Sequence, residues 1–275
     1  MQLRPGTLSL LIAPGALLLG FFFLLPLAAV GRDAFVGGAF ARVFGNELFV
    51  RGLAGSALLT FTAAGFSLLV GFVVALHLSR LAPALRGALA FFIALPLTFS
   101  GLIVAYGFIL CYGRAGFVTQ ILATTGVDAV AFSGVLYSPI GLAFASSYYL
   151  IPRVVMLMLP VLVNFDWAQV SAAESLGARR VRAVFDVIVP QIVPTAFAAF
   201  CLVAAVVFGA YGTALALVGT RVNILPLQLY SMISETGSDF AAAAALSLVL
   251  TAICSLIMAT GEVIAARQER SHAGV

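Results

Sequence analysis

The chain holds 275 residues, 63% of them apolar and only 9% charged, with a formal net charge of +4. Soluble domains carry about 45–50% apolar and about 25% charged residues, so this composition excludes a water-soluble globule. The length allows six ~20-residue spans plus their loops and leaves no room for a soluble catalytic domain, and the small charge, its basic residues all Arg and none Lys, asks for no nucleic-acid partner.

In chain order, the first apolar run is Leu8 to Val30, after Arg4. It exceeds the 7–15-residue core of a signal peptide and reads as a retained first span. Five more runs follow, at about Ala54–Leu78, Ala88–Tyr112, Pro139–Val163, Gln191–Val218 and Phe240–Ala265. Each can cross a hydrocarbon layer of ~30 Å. None alternates as a strand would, and a helix satisfies its own backbone in lipid. The expected fold class is therefore an all-α integral membrane protein, one domain over 1–275 with six transmembrane helices.

The connection 79–87 is a tight turn containing Pro83, while 31–53, 113–138 and 219–239 are longer and rich in Gly, Ser, Asn and Thr. Alternating the spans puts Arg4, Arg80, Arg86, Arg153, Arg179, Arg180, Arg182, Arg267 and Arg270 on one side. Arg32, Arg42, Arg51, Arg114 and Arg221 fall on the other. The basic excess marks the cytoplasmic side, which receives both termini and segment 164–190. Arg267 to Val275, with His272, read as a flexible polar tail.

Segment 164–190 is the polar exception, holding Asp166, Glu174, Arg179, Arg180, Arg182 and Asp186. Asp166 can cap a helix whose third residue is Gln169, a capping-box spacing. That helix would run from Trp167 to about Leu176 and stop at Gly177, the residue that best accepts a left-handed backbone. A second helix would start near Ala178, with Val181, Val184, Phe185 and Ile188 on one face and Arg182 paired to Asp186 on the other. Pro190 suits the first turn of the next span. The residues alone leave two readings open: an interfacial hairpin on lipid headgroups, or an element pushed into a cytoplasmic partner. The small Ala172 and Ala173 favour close contact with protein.

The run Ser171-Ala172-Ala173-x-x-x-Gly177, nine residues, then Val187-x-Val189-Pro190 resembles the Glu-Ala-Ala loop of ABC importer permeases of the type I, binding-protein-dependent class. The spacing is the same throughout, with Ser171 in place of the usual Glu. The resemblance implies a permease fold with a cytoplasmic coupling helix, and an inner-membrane location. Its implied partners are a cytoplasmic ATPase dimer, a second permease subunit (same or homologous) and a periplasmic solute-binding protein. Contacts to the ATPase would then come from Trp167, Val170, Ser171, Ala172, Ala173, Leu176 and Gly177. ATP hydrolysis would belong to the partner, so the chain itself would be no enzyme and carry no cofactor. A chain with no Lys has no Gly-x-x-x-x-Gly-Lys phosphate loop.

Polar residues within spans mark candidates for a solute path: Thr98, Ser100 and Tyr106 in the third run, Tyr211 and Thr213 in the fifth. Ser146, Ser147, Tyr148 and Tyr149 lie in the fourth. Each also has a plain structural reading, as a hydroxyl bonding its own helix or a ring anchored near headgroups. No span carries Asp or Glu near its middle; Glu262 sits towards an end. That counts against the alternative of an ion-coupled secondary transporter or channel, since those bury an ionisable group. A membrane scaffold without transport is the third reading. Cys111, Cys201 and Cys254 have no paired spacing, and His77 and His272 join no catalytic or metal set. The Gly113-Arg114-Ala115-Gly116 turn resembles the polyamine, iron and phosphonate branch of these permeases, with sulfate and molybdate permeases also similar. A polyamine-like solute is the expectation.

Overall fold

The computed structural model describes residues 14–234 and 239–273. Arg4 and the opening of the first predicted span, 8–13, lie outside them. The described residues form helices and connections with no strand. Six helices among them are long and apolar enough to cross a membrane. They are Pro14–Ala34 (α1), Glu47–Ser79, Gly101–Thr124, Pro139–Asn164, Phe185–Phe208 and Phe240–Ala266, with a shorter apolar helix at Pro83–Thr98.

The centre is a pair of spans, α3 (Glu47–Ser79) and α8 (Pro139–Asn164), which pack most extensively on one another. On α3 the residues turned inward are mostly small: Gly52, Ser56, Thr60, Ala63, Ala64, Ser67, Gly71 and Ala75. Of the large ones, Phe49, Leu59 and Leu78 are buried, while Leu58, Phe61, Leu69 and Val73 are exposed. This inverts the soluble pattern, for a physical reason. Lipid solvates Leu and Phe as well as another helix does, so association rests on close backbone approach, which small side chains allow. Asn46 caps α3 by accepting the Leu48 amide at 2.9 Å. Pro152 and Pro160 lie inside α8, tolerated where neighbouring helices surround them.

Two predicted spans are not single helices. The third run divides into α4 (Pro83–Ala94, ending in a tight turn at Leu95–Thr98) and α5 (Gly101–Tyr112). Phe99 and Ser100 between them are extended, and Ser100 caps α5 through the Ile103 amide. The fifth divides into α11 (Val189–Phe208) and α12 (Gly212–Val218), interrupted at Gly209–Tyr211. The breaks face each other: α5 packs on α12, with Gly101 against the Thr213 hydroxyl and Gly212 against Leu102. Any side chain at Gly101 would enter the space Thr213 occupies, so this glycine is there for approach.

Short helices α2 (Ala39–Phe44), α6 (Phe117–Thr124), α7 (Ala129–Leu136) and α13 (Leu225–Ser234) fill the connections. One buried cluster is built mainly on α3, α8, α11 and α12; a second joins α2, α13 and α14 (Phe240–Ala273). The polar stretch read as a flexible tail instead continues α14 to Ala273. At this second cluster Arg42 makes a two-pronged ion pair with Asp239, at 2.7 and 3.0 Å. Asp239 also accepts the Ala242 amide at the start of α14.

Candidate functional site

Segment 164–190 forms α9 (Ala168–Ser175), a glycine turn, α10 (Arg180–Ala183) and a wide π-turn at Val184–Ile188 that runs into α11. Asp166 accepts the Ala168 amide at 2.9 Å, which starts α9. The expected capping box is not completed, because the Gln169 side chain instead accepts from the Gln191 amide group, also at 2.9 Å. At the far end the Gly177 amide donates to Glu174 and the Ala178 amide to Ala173. With Gly177 at φ +93° this is a Schellman stop, the reason a glycine is needed there.

The structure sorts the predicted docking residues by direction. Val170 is 8% exposed and belongs to the main buried cluster, with Ala173 packed against it. Ser171 and Ala172 are exposed. Leu176 is 90% exposed. Trp167 is half-covered: Phe165 meets its edge at 5.0 Å between centroids, and the Arg80 guanidinium lies over the ring at 5.5 Å. Val170 therefore fastens α9 to its own bundle and cannot also be offered to another protein.

The second half departs from the expected amphipathic α-helix. Ala183 and Ile188 are buried while Phe185 is exposed. The two buried positions are five apart across the π-turn, whose hydrogen bonds run from i to i+5. The side chains of Val181 and Val184 lie outside the described atoms. The Arg182–Asp186 pair forms as expected, at 3.3 Å. A polar cleft of ≈ 510 Å³ opens beside α9, with Asn164, Asp166, Gln169, Gln191 and Thr195 in its wall.

The predicted path residues separate as well. Tyr211 lies against Tyr230, centroids 5.3 Å apart, and both line a cavity of ≈ 650 Å³ with Ser247, Thr251 and Ser255 of α14. Thr213 is buried, its hydroxyl 3.4 Å from that of Tyr149. Thr98 donates to the Leu95 carbonyl and Ser100 caps α5, so both hydroxyls serve the break between α4 and α5. Tyr106 is exposed on α5. The structure thus brings Tyr211 to a cavity and Thr213 to a helix contact, and does not gather all five residues into one lining.

A family model described as the binding-protein-dependent transport system inner membrane component matches residues 67–271. The chain belongs to this family. It is a multi-pass inner-membrane permease subunit of a type I ABC importer, from a family of transport permeases, not enzymes. Family membership replaces the ion-coupled and scaffold alternatives. The permease is 28% identical to the chloroplastic sulfate permease 2 of Chlamydomonas reinhardtii, over 90% of this chain and 67% of that one. It is equally identical to a Salmonella typhimurium permease named for 2-aminoethylphosphonate transport, over 90% and 88%. It is 25% identical to the spermidine/putrescine permease PotB of Haemophilus influenzae, over 74% and 68%. Its fold matches a chain of a bacterial ABC transporter that imports alginate, with a TM-score of 0.70 over 96% of each chain at 19% identity.

Sequence reasoning missed several residues that shape these sites in the permease. Phe165 and Arg80 flank Trp167, Gln191 holds Gln169, and Tyr230 meets the predicted Tyr211, whereas Tyr149, which meets Thr213, was already a polar candidate of the fourth span. Arg80 and Trp167 were both readable as lying on one side of the membrane, but their pairing joins different spans and leaves no local pattern.

Proposed function

We propose that this permease forms the solute path of an ATP-driven importer and docks on a separate cytoplasmic ATPase through residues 164–190. The observation that carries the reading is Leu176, an almost fully exposed leucine at the end of a helix whose other face is anchored in the bundle. Burying a leucine contributes about 1.5–3 kcal/mol. Reversing a 1:99 equilibrium needs ~5.5 kcal/mol of differential interaction. Leu176 alone falls short, and Val170 is already buried, so the exposed Phe185 is the natural second contributor.

In this reading the α9 end of the bundle and both termini face the cytoplasm. An ATPase dimer, a second permease subunit (same or homologous) and a periplasmic binding protein complete the assembly. ATP binding and hydrolysis alternate the path between outward and inward openings. Solute passes the cavity beside Tyr211 and leaves by the polar cleft beside α9. Among the described residues, that cavity offers two aromatic rings and hydroxyls with no charged side chain in its wall. Aromatic faces attract cations, which suits an amine-bearing solute of the polyamine type, and the likeness to PotB supports it.

The test is co-purification and transport together. An ATPase should accompany the wild-type permease and be lost when residues 166–177 are scrambled, and uptake into proteoliposomes should require ATP. Uptake driven by an ion gradient without ATP would overturn the reading.

A further inference from the structure

We propose that Arg80 is a positioning residue for the docking helix, and that Trp167 is its attachment point within the chain rather than a contact with the ATPase. This rests on the reading of 164–190 as the docking element.

Trp167 is the chain's only tryptophan, and it stands at the N-terminal boundary of α9. Phe165, itself buried in the main cluster, meets one edge of the indole, and the Arg80 guanidinium covers a face. Core, indole and cation thus form one continuous set of contacts. Arg80 ends α3 and makes no ion pair among the described residues, so no carboxylate competes for its charge. A guanidinium over an indole face is attracted by the ring's electron density, most strongly for tryptophan. Two residues further on, Gln169 is held by Gln191 at the start of α11. Besides the packing of Val170 and Ala173 on the core, the docking helix is therefore tied by its N-terminal end to the end of α3 through residue 167, and by a polar contact to the start of α11 through residue 169. Both helices run into the packed centre of the bundle, so a push on α9 reaches two spans together. Without the Arg80 tie, the N-terminal end of α9 is held less firmly than the Val170 and Ala173 side of the helix, which stays on the core, and absorbs part of the stroke.

Arg80 is exposed, so the bundle should tolerate Arg80→Ala. In the full permease–ATPase complex this variant should keep its ATPase yet hydrolyse roughly two- to five-fold more ATP per solute imported, the range a cation–ring contact at an exposed site supports. Arg80→Lys, which keeps the cation, should recover part of the loss. Trp167 emission, isolated by subtracting the signal of a Trp167→Phe complex, should become more quenchable by acrylamide in Arg80→Ala. It should change little when the ATPase joins the wild type. An Arg80→Ala variant with unchanged stoichiometry or unchanged quenching would overturn the proposal. So would strong shielding of Trp167 on ATPase binding, or loss of the ATPase from Trp167→Phe, either of which makes Trp167 a docking contact. A wild type that retains no ATPase would instead overturn the docking reading, and this proposal with it, and is seen before any variant is made.

Discussion

The hydroxyl of Tyr149 on α8 lies 3.4 Å from that of Thr213 on α12, inside the bundle where the two helix breaks meet. Removing either partner should not cost the same. In Tyr149→Phe only one long bond of 3.4 Å is lost from the small threonine hydroxyl, so the loss should be only about 0.5 kcal/mol. In Thr213→Val the phenol is left unpaired in the interior, at about 1–3 kcal/mol. Thermal melting of the detergent-solubilised permease checks this. Equal melting points for the two variants would contradict it.

Gly177→Ala should cost about 1–2 kcal/mol locally, the penalty for a left-handed L-residue, since φ is +93° there although a methyl group would meet nothing within 4 Å. Gly177→Pro also removes the amide that donates to Glu174 and should abolish ATP-driven uptake. Ala173→Arg should do the same by prying α9 from the cluster it packs on. Both variants should keep the wild-type gel-filtration profile, with ATP hydrolysis no longer linked to uptake. Normal uptake by both would remove the coupling role.

Leu176 and Val170 should behave oppositely. Leu176→Ala should change permease stability by less than about 0.5 kcal/mol, as surface substitutions do, while weakening ATPase association roughly tenfold. Val170→Ala should cost about 1.5–2 kcal/mol of stability, at ~0.8 per buried CH₂. Titrating ATPase onto immobilised permease, beside a melting curve, separates the two effects.

The Arg42–Asp239 clasp should be insensitive to pH across the neutral and mildly acid range. The bonds from Arg42, then the Ala242 amide, hold the Asp239 carboxyl below its ordinary value. A depressed carboxylate stabilises the folded form above its unfolded pKa of about 3.9, and that contribution is lost as pH falls through the lower folded value. The protection of the amides at the start of α14, taken as observed exchange relative to the intrinsic rate at each pH, should be steady from pH 7 to about pH 4 and then fall. Asp239→Asn should remove that acid transition. A clasp lost near pH 6 would refute this account.

The local chemistry of segment 164–190 was legible in the sequence. Asp166 starts a helix, Gly177 ends it and Arg182 meets Asp186, because caps, turns and i,i+4 pairs depend on residues within a few positions. The π-turn at Val184–Ile188 was not legible. Its apolar residues fit an ordinary helical face, and the buried Ala183 and Ile188 chose the wider turn. The breaks were half visible: Pro96, Ser100 and the glycines at 209 and 212 are in plain view, yet six unbroken spans satisfied the hydropathy equally well.

By itself the sequence determined the solvent, the all-helical class, the long apolar runs and the helix–glycine–helix insert, since composition and short-range backbone preference suffice for these. Tertiary structure alone decided which face of each span turns inward, where the broken helices meet, and that Arg80 reaches Trp167. In water an apolar stripe marks the buried face. In lipid a leucine is as well placed outside as in, so hydropathy does not distinguish the faces, and small residues matched across distant spans decide them.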